Sequence, residues 1–345
     1  MADLLWQLPL ALVVLVVTVS GALALWFRGP SFTAAQFGLI GLWSLTGLAF
    51  ITTLWLPDAA ILRTPAAIAL ATAFATMGLW WASIRPQQHR NWAADVDRLL
   101  SAEIDGDQVT LHNVRNFAWR TREDFTPRWE TRRYDLSALH SADLIVSYWM
   151  GPAVAHTLVS FGFADGRQLV FSVEVRRTQG QLFSALGGFF KQSELLLVAA
   201  DERDIVRTRS NVRGEAVYLY RVGLSQPAMR ELFIAYLDVA DDLQRQPRFY
   251  NTVVSNCTTI VFDMIKQIVP GLPADVRLLL SGYLPGYIYD LGALDTSRPL
   301  DELQRRGHIN PRAIASDTDG QASADFTTAI RRGVPAPDGR LIETE

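Results

Sequence analysis

Three uncharged apolar runs occupy the first 84 residues and constrain the fold more than any other feature of the sequence. Residues 8–27 (LPLALVVLVVTVSGALALWF), 36–56 (QFGLIGLWSLTGLAFITTLWL) and 66–84 (AAIALATAFATMGLWWASI) stand in succession. Each has the length, about 20 residues, that a helix rising about 1.5 Å per residue needs to cross a hydrocarbon core of about 30 Å. Gly29-Pro30 and the linker from Pro57 to Pro65 separate them, and Trp26, Trp55, Trp80 and Trp81 sit near their ends. Amphipathic rings favour that headgroup level. The first run reads as an uncleaved anchor, because Met1 to Gln7 has no basic side chain and no small-x-small cleavage site follows.

Only Asp3, Arg28, Asp58 and Arg63 carry formal charge before Arg85, so nearly all of the 32 basic and 35 acidic residues lie in the remainder. The organisation expected is a membrane anchor over residues 1–86, a soluble domain over 87–312 and a polar, mobile tail over 313–345. About 225 residues suffice for a sizeable core. A net charge of −3 with scattered arginines gives no case for nucleic acid. The single cysteine, Cys257, excludes an intramolecular disulfide and any multi-cysteine metal site. Three spans put the N-terminus and the soluble domain on opposite faces of the membrane. Arg28, Arg85 and Arg90 on the domain's side outnumber Arg63 and the α-amine on the other, a small excess pointing to a cytoplasmic domain.

The soluble part reads as α+β. Asn91–Ala102 has the pattern of a short amphipathic helix, with Trp92, Val96 and Leu99/Leu100 on one face. Strands are expected over 108–114, 143–148, 153–163, 168–176, 194–199 and 216–222, all rich in β-branched and aromatic residues. Asp165-Gly166 marks a hairpin between the third and fourth of these. Ser225 and Pro227 open an amphipathic helix over 228–243, and a second helix begins at Cys257 with Ser255 or Asn256 as its cap.

Cys257, in the first turn of that helix, is the strongest candidate for chemistry. Unpaired backbone N–H groups and the positive end of the helix dipole favour a thiolate there and could stabilise an oxyanion. The same cysteine shares a helical face with Val261, Met264 and Ile268, so a plain core role is the competing reading. A thiol nucleophile needs an imidazole to take its proton. Of the five histidines, His89, His112, His140 and His308 lie in polar contexts, and His156 alone is inside an apolar strand. The hairpin brings residues near 174 past His156. A three-residue loop would aim Glu174 and Ser172 at the imidazole, and a two-residue loop would aim them away. Glu174 is the orienting group expected on that basis. Asp201, Glu202 and Asp204 read as a surface ion-pair network with Arg203 and Arg207 rather than a cation site. The apolar stretches 183–190 and 278–289 read as core, with acyl-chain contact as the alternative.

The stretch from Asn113-Val114-Arg115-Asn116-Phe117 through His156, Ser172-Val173-Glu174-Val175-Arg176-Arg177, Asp201-Glu202-Arg203-Asp204 and Phe249-Tyr250-Asn251 to Asn256-Cys257-Thr258-Thr259 resembles the periplasmic domain of Lnb-type lipoprotein N-acyltransferases. That domain is similar to circularly permuted papain-like, NlpC-type folds, the group that includes lecithin:retinol acyltransferase. The resemblance implies a histidine on a strand followed by a cysteine at a helix start, with Cys257, His156 and Glu174 as catalytic residues and Asn256, Ser172, Tyr250 and Asn251 supporting them or lying near substrate. It also implies a bacterial inner-membrane protein whose soluble domain is periplasmic, against the arginine count. Here the membrane helices precede the domain, whereas in that enzyme the domain comes first. The function expected is therefore a cysteine acyltransferase that takes an acyl group from a phospholipid of the bilayer, holds it as a thioester and passes it to a lipoprotein N-terminus or another amine acceptor, without metal or cofactor. A cysteine peptidase or amidase of the same fold and a non-enzymatic membrane-anchored binding module are the alternatives.

Overall fold

The computed structural model describes residues 2–30, 32–317 and 323–343. The chain divides into two compact units, Met1–Gln87 with Ser184–Ser193, and Gln88–Phe183 with Glu194–Glu345. In the first unit the apolar runs form three helices, α1 (Ala2–Arg28), α2 (Thr33–Trp55) and α3 (Arg63–Ser83). All three are long and apolar enough to cross a membrane. Glycines set how closely α1 and α2 pack. A Cβ at Gly21 would lie 2.4 Å from the Trp43 ring, and one at Gly47 would lie 2.1 Å from the Thr18 hydroxyl. Such small residues are what let helices approach where lipid supplies no hydrophobic drive. The segment 184–193 belongs to this unit: the Phe190 ring stacks on Phe27 at 5.6 Å, and Lys191 donates to the Trp81 carbonyl at 2.8 Å.

The second unit is mixed α+β. Its strands are β1 (Ser101–Asp105), β2 (Gln108–Arg115), β3 (Ala118–Trp119), β4 (Phe125–Thr126), β5 (Trp129–Asp135), β6 (Leu139–Met150), β7 (Val154–Phe163), β8 (Gln168–Arg176), β9 (Glu194–Ala200) and β10 (Ala216–Val222). The main sheet runs β1-β2-β9-β8-β7-β6-β10, with β5 also on β2. One face carries helices α5 (Gln226–Arg245) and α6 (Cys257–Ile268), packed on Val159, Phe161, Phe171 and Leu197. The other carries α4 (Glu202–Arg207) together with residues from 309 onward, packed on Leu158, Val170, Leu196 and Val198. Burial on both faces explains why β9 is a continuous apolar run rather than an alternating one.

Four expectations are corrected. Residues 91–102 form no helix, because long-range partners take the backbone groups a helix would use: Arg176 bonds to the carbonyls of Val96 and Asp97, and Arg115 to that of Asp95. The end of that segment instead opens edge strand β1. The supposed tail follows α7 (Leu284–Asp290) and α8 (Leu300–Gly307) and holds α9 (Asn310–Ala315) and α10 (Ser323–Arg331), with Ala313, Phe326, Ile330 and Val334 buried in the core. Residues 318–322 and 344–345 of that expected tail lie outside the described residues. Asp201, Glu202 and Asp204 are buried, and their guanidinium partners are Arg132, Arg331 and Arg115 rather than Arg203 and Arg207. Finally, 278–289 is split: Leu278, Leu284 and Tyr287 are core, while Leu279, Leu280 and Tyr283 are exposed.

Arg331 ties α10 to the sheet by pairing with two fully buried carboxylates, Asp143 at 2.9 Å and Glu202 at 2.5 Å. Removing one side of a buried pair strands the other charge, at a cost of about 3–5 kcal/mol. Arg331→Met is therefore expected to lower the urea midpoint of the full chain in detergent sharply. An unchanged midpoint would show that α10 contributes nothing to the domain's stability.

Candidate active site

The β7–β8 hairpin sets the geometry. Phe163 and Arg167 close a three-residue loop, with Phe163 N–H donating to the Arg167 carbonyl at 3.0 Å and Gly166 in the left-handed region at φ 79°. Of the two loop lengths open to the sequence, this one aligns Leu158 with Ser172. Continuing that register sets His156 opposite Glu174, with Ser172 diagonal to it on the same face. Nε2 of His156 lies 2.7 Å from Ser172 Oγ and 3.3 Å from Glu174 Oε1. Ser172 Oγ in turn lies 2.7 Å from Glu174 Oε1.

These distances fix the protons. An ionised Glu174 can only accept, so the single hydroxyl proton of Ser172 goes to it, and the Ser172 oxygen accepts from Nε2–H. Nδ1 is left for the thiol of Cys257, whose ionisation is coupled to that of the imidazole. Arg209 donates to the same carboxylate oxygen, Glu174 Oε1, at 2.9 Å and reaches Glu215 at 3.5 Å, and Glu215 accepts from Ser147. Arg209 sits in a π-helical turn, Thr208–Val212. No local feature of the sequence marks it, since 35 residues separate it from Glu174 and only the fold joins them.

Cys257 is the first residue of α6 and is 8% exposed. Asn256, not Ser255, caps the helix: its side chain accepts from Thr258 and Thr259 N–H, and the Thr259 hydroxyl accepts from Asn256 N–H. This capping box consumes two of the N–H groups expected to be free for an oxyanion. The Cys257 N–H is left without an acceptor among the described residues. Asn251 builds the preceding turn. It exchanges backbone bonds with Ser255 at 3.1 Å, and its side chain accepts from Val253 and Val254 N–H. Tyr250 packs at the edge of the helical core, within electrostatic reach of both Cys257 and Glu174. The β7–β8 ladder stops at Leu158, and beyond it the buried Thr157 hydroxyl has no hydrogen-bond partner among the described residues.

Ionisation follows from these neighbours. Burial pushes the Cys257 thiol up, but the adjoining imidazole and then Thr157 bring it from an ordinary 9.0 down to about 6. Burial also works against the imidazolium, as does Arg209, yet Glu174 and the Cys257 thiolate outweigh both and His156 titrates above its ordinary value. Glu174, which burial alone would raise, is held well below the usual carboxylate range by His156 and Arg209. The burial and the negative charges of Cys257 and Glu174 keep Tyr250 protonated. Among the described residues no group of three or more His, Cys, Asp or Glu side chains is placed to hold a metal ion.

A thiolate–imidazolium pair is therefore populated above about pH 6, until the imidazolium loses its proton. The rate of Cys257 alkylation by iodoacetamide should rise through about pH 6. In His156→Ala the midpoint should return to the range of an unassisted thiol, about 8.5 or higher. Glu174→Gln removes the charge that favours the imidazolium and should move the midpoint in the same direction by less. Identical profiles for the three proteins would dissociate the thiol from this chain of groups.

Residues 125–282 match the family model of the Lnb N-terminal periplasmic domain. No curated protein and no solved structure gave a match. The matched span contains Cys257, His156, Glu174, Ser172, Asn256, Tyr250, Asn251 and Arg209. Every one of these candidate site residues thus lies in the part of the chain that is similar to the Lnb N-terminal periplasmic domain family.

Proposed function

We propose that the protein is a membrane-anchored thiol acyltransferase, and that its soluble unit is a circularly permuted papain-like, NlpC-type domain on the periplasmic side of a bacterial inner membrane. The observation that carries this reading is the hydrogen-bonded chain His156–Ser172/Glu174–Arg209, electrostatically coupled to a cysteine thiol at the N-terminus of a buried helix. The family match and three helices able to span a bilayer support it.

In the first half-reaction the Cys257 thiolate attacks the ester carbonyl of a phospholipid, forming a C–S bond and a tetrahedral oxyanion. The Cys257 N–H, at the positive end of α6, is placed to receive that oxyanion. The oxyanion collapses, the C–O bond breaks, and the lysophospholipid alkoxide leaves with the proton that His156 Nδ1 took from the thiol. The product is an S-acyl enzyme. In the second half-reaction an amine, such as the N-terminal amine of a lipoprotein, attacks the thioester. His156, now neutral, takes the amine's proton, and the C–S bond breaks to give an amide and the thiolate. Glu174 and Ser172 hold Nε2–H throughout, so Nδ1 is always the nitrogen that faces the sulfur.

Mass spectrometry of the protein purified from its membranes tests this directly. A hydroxylamine-labile fatty-acyl adduct on Cys257 is expected, absent in Cys257→Ser and much reduced in His156→Ala. An adduct that water alone discharges, with no amide formed in the presence of an amine acceptor, favours a hydrolase of the same fold. A thiol that never acylates and resists alkylation until unfolding makes Cys257 a core residue and the domain a binding module.

A further inference from the structure

The soluble unit carries large apolar side chains in water at one end of its sheet. Trp149 and Met150, at the tip of the β6–β7 hairpin, are 43% and 53% exposed, and Leu182 and Phe183, beyond the end of β8, are 84% and 47% exposed. These are one surface, because the rings of Trp149 and Phe183 meet edge to face at 5.5 Å. The patch flanks the candidate active site: His156 lies two residues into β7, just past the hairpin tip. Val254, 72% exposed, is in the turn that immediately precedes Cys257.

Chain continuity says what covers such a patch. Phe183 is followed directly by Ser184, where the segment that belongs to the membrane unit begins. Within that unit, Phe190 and Lys191 pack on Phe27 and Trp81, which lie in the last turns of α1 and α3. Leu182 and Phe183 are thus tethered by one or two residues, at most about 3.8 Å each, to a segment fixed at the ends of the membrane helices. Exposed Trp, Phe, Leu and Met side chains held at that level meet the headgroup and upper acyl region of a bilayer, where such residues are favoured.

We propose that Trp149, Met150, Leu182 and Phe183 form a rim seated in the interfacial region of the bilayer, beside the mouth of the candidate active site. The rim would let a phospholipid ester reach Cys257 without leaving the leaflet, a consequence that rests on the acyl-transfer reading. The rim itself does not depend on that reading.

The single native cysteine makes the test direct. Cys257→Ser removes the only thiol, and Leu182→Cys in that background accepts one environment-sensitive fluorophore. Ile104→Cys, at an exposed apolar position on β1, is the control. With the full chain in phosphatidylethanolamine–phosphatidylglycerol vesicles, the label at 182 should be blue-shifted and quenched by spin-labelled lipid, and the label at 104 should not. A label at 182 as open to aqueous iodide as that at 104 overturns the proposal. So does a blue-shifted label that lipid-borne quencher cannot reach, since another protein surface would then cover the rim.

A second variant, Leu182→Asp with Phe183→Asp, keeps Cys257. It should form the acyl-enzyme from vesicle phospholipid about tenfold more slowly or worse, the loss expected from two large apolar side chains. Its thiol should alkylate with iodoacetamide at the wild-type rate. Lipid quenching at 182, together with a wild-type protein that never acylates at Cys257, would uphold the rim and end the acyl-transfer reading. Acylation with a water-exposed 182 would do the reverse.

Discussion

The ion pair between Glu174 and Arg209 is the interaction on which the site depends. An imidazolium and a thiolate cannot persist side by side in a buried place unless something on the far side of the imidazole is reliably negative. Glu174 supplies that charge, and it stays charged because the Arg209 guanidinium, only 7% exposed, lies 2.9 Å away. Without Arg209, burial would return a proton to Glu174, which would then cease to favour the imidazolium. The cation of the π-helical turn therefore acts on the sulfur through two intermediaries. Its own charge opposes the imidazolium, so its net value lies in keeping the carboxylate ionised and placed.

The sheet beneath explains why this arrangement is tolerated. Across β6 and β7, Ser147 faces His156 and Asp143 faces Ser160. With Ser172 and Glu174 on β8, these make a polar stripe on the face opposite α5 and α6. The charges on that stripe are answered by arginines: Glu174 by Arg209, which also reaches Glu215, and Asp143 by Arg221 of β10 and by Arg331, which also holds Glu202 of α4. Buried ion pairs add little stability relative to an apolar core, but losing one partner is costly. The stripe thus fixes which side chains can stand under α4 and α10, and the catalytic candidates are one end of it. The apolar face of the same strands does the ordinary work of holding α5 and α6, and with α6 the position of Cys257.

What could be read from the sequence divides along the same line. The membrane helices, the β7–β8 hairpin and the helix starting at Cys257 are local signals: apolar length, a turn that demands positive φ, and a cap before an amphipathic run. His156 could be singled out because a titratable ring inside an apolar strand needs a partner, and Glu174 because the period of a strand limits which residues can face it. Arg209 left no local trace, since its role exists only once the turn after α4 is folded over β8. The region 91–102 misled for a related reason. Its apolar spacing is helical, but Arg176 and Arg115, far away in sequence, claim its carbonyls. Strands β1 and β5 are polar edge elements with too few apolar residues to announce themselves, and the C-terminal residues, polar in composition, are held by Arg331 and a few buried apolar side chains.

The capping of α6 bears on the chemistry in a way composition could not show. A free helix N-terminus would offer several N–H groups to an oxyanion, but Asn256 takes those of Thr258 and Thr259 for itself. That leaves the Cys257 N–H as the backbone donor of the first turn with no acceptor among the described residues. The cap trades oxyanion donors for rigidity: Asn256 is bound at both ends, its amide also donating to the Thr252 carbonyl at 2.8 Å. The sulfur is thereby fixed against His156 before any substrate arrives. If Cys257 acylates as proposed, a first turn with one unclaimed backbone donor leaves the acyl-enzyme open chiefly to a nucleophile that brings its own reactivity. A neutral amine meets that condition better than water, which is the physical reason to favour transfer over hydrolysis at Cys257.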